Sequence, residues 1–162
     1  MIVVCDASPL INLGRISRLA LLPALYDQVV LPQAVWEEGV VRGKGKPGAA
    51  EVEKAPWVQR DTVHNRALVQ ALLQQLDAGE AESIVLAMER KDDLLLMDEP
   101  LGREVARHLG VRIMGVVGLL VDARHQGLID SLAEELDHLR TGAGFDLHES
   151  LVERIVRDAG ER

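Results

Sequence analysis

Two short apolar runs, Ile2-Val3-Val4-Cys5 and Leu94-Leu95-Leu96-Met97, each stop at an aspartate, Asp6 and Asp98, and their reading decides the fold. Neither run alternates apolar with polar residues, so both faces of each strand must be covered, as in a parallel sheet. Longer stretches with helical periodicity separate such runs, which is the pattern of βαβ units. Ser8-Pro9 reads as a helix cap followed by proline in the first turn, leading into Leu10, Ile11 and Leu13 and on to Leu19, Leu21, Leu22 and Leu25. Residues 28–31 read as a second strand closed by Pro32, residues 33–41 as a helix, and Arg42-Gly-Lys-Gly-Lys-Pro-Gly48 as the clearest loop.

Further along, 57–60 reads as a short edge strand and 65–76 as a helix. Asp77-Ala-Gly-Glu80 has the form of a capping box opening a helix over 80–90. A helix over 101–109 and a strand over 111–114 follow, then a helical tail over 116–125, 129–139 and 147–158, the last behind a second capping box, Asp146 to Glu149. Neither an internal repeat nor an inter-domain linker interrupts the pattern, so residues 1–162 are expected to form one α/β domain.

The bulk numbers narrow the function. A chain of 162 residues is long enough to bury roughly 70% of its unfolded surface. Aromatics are only 2% of the residues, so the core must be built from Leu, Val, Ile and Ala, and base stacking cannot be a major source of affinity. Net charge is −8, which speaks against sequence-independent coating of nucleic acid and requires that any nucleic acid meet a local basic patch. The single cysteine, Cys5, lies inside an apolar run and has no partner for an internal disulfide; a reducing cytoplasm is the expected location. No signal peptide and no membrane-spanning run is expected.

Four acids are placed to meet. Asp6 and Asp98 follow strands, and in an open α/β sheet the carboxyl ends of strands border the ligand crevice. Glu38 and Glu82 fall early in helices that should pack beside those ends. Carboxylates crowded without basic partners repel one another, and a hard divalent cation relieves them. Each residue has an ordinary alternative. Asp6 could be a turn residue, and Glu38 could pair with Arg42 at i+4. Periodicity leaves Glu37 and Glu38 equally placed. Glu82 could be an exposed helix residue, although Val85 and Leu86 give it no basic neighbour within the helix. Asp98-Glu99-Pro100 opens a helix, where Asp98 would serve as a cap.

Four stretches carry a resemblance: Asp6-Ala-Ser-Pro-Leu-Ile11, Leu31-Pro-Gln-Ala-Val-Trp-Glu-Glu38, Leu76-Asp-Ala-Gly-Glu-Ala-Glu-Ser-Ile84, and Leu94-Leu-Leu-Met-Asp-Glu99 with Gly102-Arg103. Together with Gly115-Val-Val-Gly-Leu-Leu120 and Gly127-Leu-Ile129, they make the chain resemble a PIN domain, the nuclease fold of the VapC-type toxins, in the branch that opens Asp-x-Ser-Pro-Leu-Ile. The resemblance implies a three-layer α/β/α fold with a central parallel sheet of four to five strands. It implies a metal-dependent endoribonuclease using one or two Mg²⁺ or Mn²⁺ ions. The acids carried over are Asp6, Glu38, Glu82 and Asp98, with Asp6, Glu82, Asp98 and Glu99 as metal ligands; Asp98 and Glu99 remain alternatives for the last position. Ser8, Arg42, Lys44, Lys46 and Arg103 are the expected substrate contacts, with helix capping by Ser8 and a flexible solvated loop as the ordinary alternatives. RNA, a small antitoxin and a second copy of the chain are the expected partners. Leu151, Val152, Ile155 and Val156 would serve either that packing or the domain's own core.

Other phosphoryl chemistry fits poorly. A haloacid-dehalogenase-like phosphatase needs Asp-x-Asp after its first strand, and this chain has Asp6-Ala-Ser8; a receiver domain needs a late lysine, and none follows Lys91. The Walker pattern is absent. The remaining alternative is a PIN-like protein- or RNA-binding module with an inert pocket.

Overall fold

A computed structural model describes residues 1–91 and 94–161. Five strands, β1 (Ile2–Cys5), β2 (Gln28–Pro32), β3 (Val58–Asp61), β4 (Leu94–Leu96) and β5 (Ile113–Met114), form one sheet in the order β3-β2-β1-β4-β5. Every pairing is parallel. The α/β class and the strand count agree with the sequence reading.

Side chains along a strand alternate between faces, and the core divides accordingly. Val3, Cys5, Val29, Leu31, Leu94 and Leu96 join one buried cluster, while Val4, Val30 and Leu95 join a second on the other face. The first face is covered by α1 (Ala7–Arg15), α8 (Val116–His125), α9 (Leu132–Gly142) and α10 (Glu149–Asp158), whose Leu13, Leu119, Leu120, Leu136 and Val152 lie in that cluster. The second is covered by α5 (Arg66–Leu72), α6 (Ala78–Glu89) and α7 (Pro100–His108) through Val69, Ile84, Val85 and Ala106. Two-sided burial is why the strands carry no polar alternation. Short helices α2 (Leu21–Leu25), α3 (Gln33–Trp36) and α4 (Ala49–Lys54) complete the layers.

Several local expectations change. The first helix starts at Ala7, so Ser8 lies within its opening turn and is not the cap; its hydroxyl is buried and finds no hydrogen-bond partner. The single helical pattern read through Leu25 is two helices, parted near Ser17, which adopts φ 58°. Asp98 does not cap the helix that follows it: the residue before Pro100 is Glu99, and Asp98 Oδ1 instead accepts the Val116 N–H at the start of α8, 2.8 Å away. The box read at Asp146–Glu149 does not form, because α10 starts at Glu149 and that carboxylate accepts from Arg140 at 2.7 Å. Of the tail residues, Val152 and Val156 are buried in the domain's own core while Leu151 stays 36% exposed. Among the described residues no helix is long and apolar enough to cross a membrane.

The C-terminal segment is tied down by one carboxylate. Glu161 accepts the N–H groups of Leu132 at 2.7 Å and Ala133 at 3.1 Å, the Ser131 hydroxyl at 3.3 Å and the Arg124 guanidinium at 2.9 Å. Partial burial raises its pKa, but the Leu132 and Ala133 amides, Arg124 and Ser131 outweigh that and hold it below the ordinary glutamate value. A lowered carboxyl pKa contributes stability at neutral pH that disappears as pH falls through the folded-state value. Glu161→Gln should therefore lower stability at pH 7 by about 1 kcal/mol, a typical capping loss. Paired thermal melts should show the gap between variant and parent closing below about pH 4, where the parent carboxyl is itself protonated.

Candidate active site

The carboxyl edge of the sheet gathers the expected residues because of strand register. Cys5 pairs with Leu96, and the Asp6 N–H donates to Leu96 O at 3.0 Å, so Asp6 leaves the central strand beside the end of β4. The N-termini of α1, α6, α7 and α8 also open at this edge, each carrying a partial positive charge.

Asp6 is 3% exposed. It stands at the N-cap position of α1, yet its side chain does not cap the helix. Burial pushes its pKa up to about 7; the Ala7 amide opposes this, and the charges of Glu80, Asp77 and Glu38 add to the rise. Glu38 meets Asp6 over Gly79 of α6. A Cβ at Gly79 would stand 2.9 Å from Glu38 Oε2 and 3.5 Å from Asp6 Oδ1, so the missing side chain is what leaves space between the two carboxylates.

A π turn over Glu37–Val41, closed by Arg42 N–H to Glu37 O at 2.8 Å, carries Glu38. Such turns add a residue to the helical repeat and recur at functional sites. Here the turn resolves what periodicity left even. Glu37 faces solvent and accepts from Gln33 Nε2 at 3.3 Å, while Glu38 faces Asp6. Burial, then the Asp77 charge, raises the Glu38 pKa, and Arg42 partly offsets them.

Asp98 is near this pair but differently held. Besides Val116 it accepts from Asn12 Nδ2 at 3.2 Å. Arg103 lies beside it, with Nη1 donating to Met97 O at 3.0 Å. Burial still raises the Asp98 pKa against the pull of Val116, Asn12 and Arg103. Glu99 is exposed and acts on Glu80 through its charge.

Glu82 has other partners. Its Oε1 accepts the Ala34 N–H at 3.0 Å and its Oε2 pairs with Arg66 at 2.9 Å. One oxygen thus ties α6 to α3, the helix that leads into the Glu38 turn, and the other ties it to Arg66 at the start of α5. The α6 acids that act on Asp6 are instead Glu80 and Asp77. These two do form the expected capping box, with Glu80 N–H to Asp77 Oδ1 at 2.8 Å and Asp77 N–H to Glu80 Oε1 at 3.0 Å. Sequence reasoning assigned them to the box and looked no further. Yet a Cβ at Gly102 would lie 3.6 Å from Glu80 Oε2, the oxygen that the box does not use. Burial raises the Glu80 pKa; the Asp77 amide opposes that, and the charges of Asp77 and Glu99 reinforce it.

Of the expected substrate residues, Arg42 lines the depression that holds Glu38, Asp77 and Gly79, and Lys46 lines a second one on the other side of Glu38. Lys44 is exposed on the same loop.

Among the described residues no three ligating side chains already form a shell around a cation. The donor set fits a hard ion nonetheless. Mg²⁺ keeps several waters and needs only one or two protein carboxylates. Asp6 and Glu38 supply two whose charges are not answered by an ion pair among the described residues, across a gap that a side chain at Gly79 would fill.

The raised pKa has a measurable sign. An aspartate whose folded-state pKa lies above its unfolded value contributes stability below the unfolded pKa and loses it as pH rises through the folded one. In chelator the protein should lose stability between about pH 4 and 7, by on the order of 2–4 kcal/mol. Asp6→Asn should markedly reduce that slope, leaving the smaller part due to Glu38, Glu80 and Asp98, and denaturant titrations across the range read it directly. Gly79→Ala should leave the fold near its parent stability, since alanine gains up to about 1 kcal/mol in a helix and the clash falls on a flexible side chain. It should nevertheless remove any rise in melting temperature caused by Mn²⁺.

A family model described as a PIN domain matches residues 2–161, and the chain belongs to that family, whose fold is of the nuclease type. No curated protein matches the chain.

Proposed function

We propose that this PIN-domain chain is a metal-dependent endoribonuclease that hydrolyses phosphodiester bonds in RNA. The observation that carries the reading is a buried aspartate at the end of the central strand, without a basic partner among the described residues, facing a second carboxylate over a glycine.

Asp6 and Glu38 would hold one or two Mg²⁺ or Mn²⁺ ions, with Glu80, whose charge acts on Asp6, and Asp98 and Glu99, which follow β4 at the same sheet edge, contributing through water. Such an ion, when bound, supplies a water of lowered pKa and a counter-charge for phosphate. The chain's own residues do the rest. Glu38 orients the attacking water and accepts its proton, a task helped by burial, which raises its pKa above the ordinary glutamate value and so its basicity. Arg42 favours its ionised form. Asn12 and the Val116 N–H fix the rotamer of Asp98, and the nearby Arg103 favours its ionised form. Ser8, with a buried unpartnered hydroxyl two residues after Asp6, is available to hydrogen-bond at the site. Glu82, in this reading, positions the Glu38 turn and does not touch the ion.

The setting we propose is a cytoplasmic toxin of a toxin–antitoxin pair, with a small antitoxin and a second copy of the chain as partners; the motif resemblance supports it. One observation favours an inert binding module instead: Glu82 and Asp98, two of the four expected acids, already have protein partners.

Cleavage of a labelled RNA in Mg²⁺ or Mn²⁺ tests the choice. Wild type should cut, Asp6→Asn should lose at least about a hundredfold in rate, as expected when a charge that stabilises the transition state is removed, and chelator should stop the reaction. Saturating Mn²⁺ should raise the melting temperature by several degrees, since binding at a hundred times Kd stabilises by about 2.7 kcal/mol. An inert module would show neither effect. Glu82→Gln should keep most of the rate, because an amide oxygen still accepts the Ala34 N–H. Glu82→Ala should lose rate and stability together, and a dead but well-folded Glu82→Gln would return Glu82 to the ligand set.

A further inference from the structure

Glu38 stands between two depressions of opposite character. One holds Asp77, Gly79 and Arg42 on the acidic side. The other, a cavity of about 290 Å³ between α1 and the glycine loop, has Arg15 and Lys46 as its charged lining apart from Glu38 itself. The loop that presents Lys46 is fastened down and does not wave in solvent. A Cβ at Gly14 of α1 would come within 2.7 Å of Pro47 O, and one at Gly48 within 3.1 Å of Gly14 Cα, so the two chain segments touch backbone to backbone where both residues lack side chains. Gly48 also adopts φ +86°, which favours glycine. Lys46 is held at both ends of its peptide, with its N–H on Gly43 O at 2.9 Å and its carbonyl accepting Ala49 N–H at 3.2 Å. Arg15 gives one donor to Ala143 O at 3.4 Å and has the remainder of its guanidinium to offer. Among the described residues neither cation forms an ion pair.

We propose that Arg15 and Lys46 clamp the backbone phosphate of the nucleotide next to the one cut at Asp6 and Glu38, in single-stranded RNA. The inference rests on the nuclease reading and gives it a substrate register. In a chain of net charge −8, a polyanion needs a local basic recess beside the acids, and this cavity shares Glu38 with them. Guanidinium and ammonium groups on opposite walls suit a tetrahedral phosphate, which accepts from several directions. A flexible strand turns its backbone into such a recess; a stiff duplex does not follow it. The clamp also supplies affinity without aromatic stacking, in keeping with the scarcity of aromatics.

The test is binding of a fluorescein-labelled single-stranded RNA, read by anisotropy in Mg²⁺ at several salt concentrations, with Asp6→Asn present in every protein so that the strand stays whole. Adding Arg15→Ala and Lys46→Ala together should weaken binding roughly tenfold at low salt and flatten the slope of log Kd against log salt by about 0.7, the contribution of one single-strand phosphate. Arg15→Lys with Lys46→Arg should restore the slope, and Arg154→Ala on α10 should leave both readings unchanged. If the Arg15 change loosens the fold, Lys46→Glu on its exposed loop carries the same test. Unchanged affinity and slope in the double variant overturn the clamp and leave the nuclease reading standing. Equal binding of duplex RNA, equally weakened, overturns the single-strand assignment. Absence of any RNA binding by the Asp6→Asn parent overturns both.

Discussion

The site depends on one costly arrangement, a carboxylate buried at the end of the central strand with no base among the described residues to neutralise it. Water would hold the charge of Asp6 far better than the sheet edge does, and the Ala7 amide opposes only part of that penalty. Glu38, Asp77 and Glu80 make it worse. Folded proteins tolerate such strain where function needs it, and the surrounding packing supplies the stability to hold it. Here that packing is a two-faced core of Leu, Val, Ile and Ala on both sides of a fully parallel sheet.

The surrounding polar contacts sort into two kinds. Some keep acids apart from the charge problem: Glu82 is answered by Arg66 and Ala34, and Asp98 by Asn12, Val116 and the nearby Arg103. Others keep the problem in place, chiefly the π turn that carries Glu38 and the glycine that lets its carboxylate approach Asp6. A cation is the natural answer to the second group, and the fold belongs to a nuclease-type family. Charge is also unevenly distributed: Asp77, Glu82 and Arg42 line the depression on one side of Glu38, and Arg15 and Lys46 the one on the other.

The fold was legible because both-sided burial leaves a plain mark, uninterrupted apolar runs such as Val3-Val4-Cys5 and Leu94-Leu95-Leu96. Placing Asp6 and Asp98 at neighbouring strand ends follows from the same mark. Helix starts were less legible, because Ser8, Asp98 and Asp146 all have capping chemistry and the sequence cannot say which amide each will reach. Glu80 forms the expected capping box, but a box uses one carboxylate oxygen and leaves the other, on the Gly102 side, outside it, and the charge of Glu80 still acts on Asp6. Glu82 lacked a basic neighbour within its own helix, and its actual partner, Arg66, comes from a different helix. The choice between Glu37 and Glu38 required the π turn, which a regular helical wheel cannot contain.

Carbon-detected NMR of the Asp6 carboxyl, titrated with and without Mg²⁺, addresses the buried charge itself. The account predicts a midpoint near 7 in chelator, falling to or below the usual aspartate value of about 4 once the cation is present. A midpoint near 4 under both conditions would mean that Asp6 is neither strained nor a cation ligand, and would contradict the account at its root.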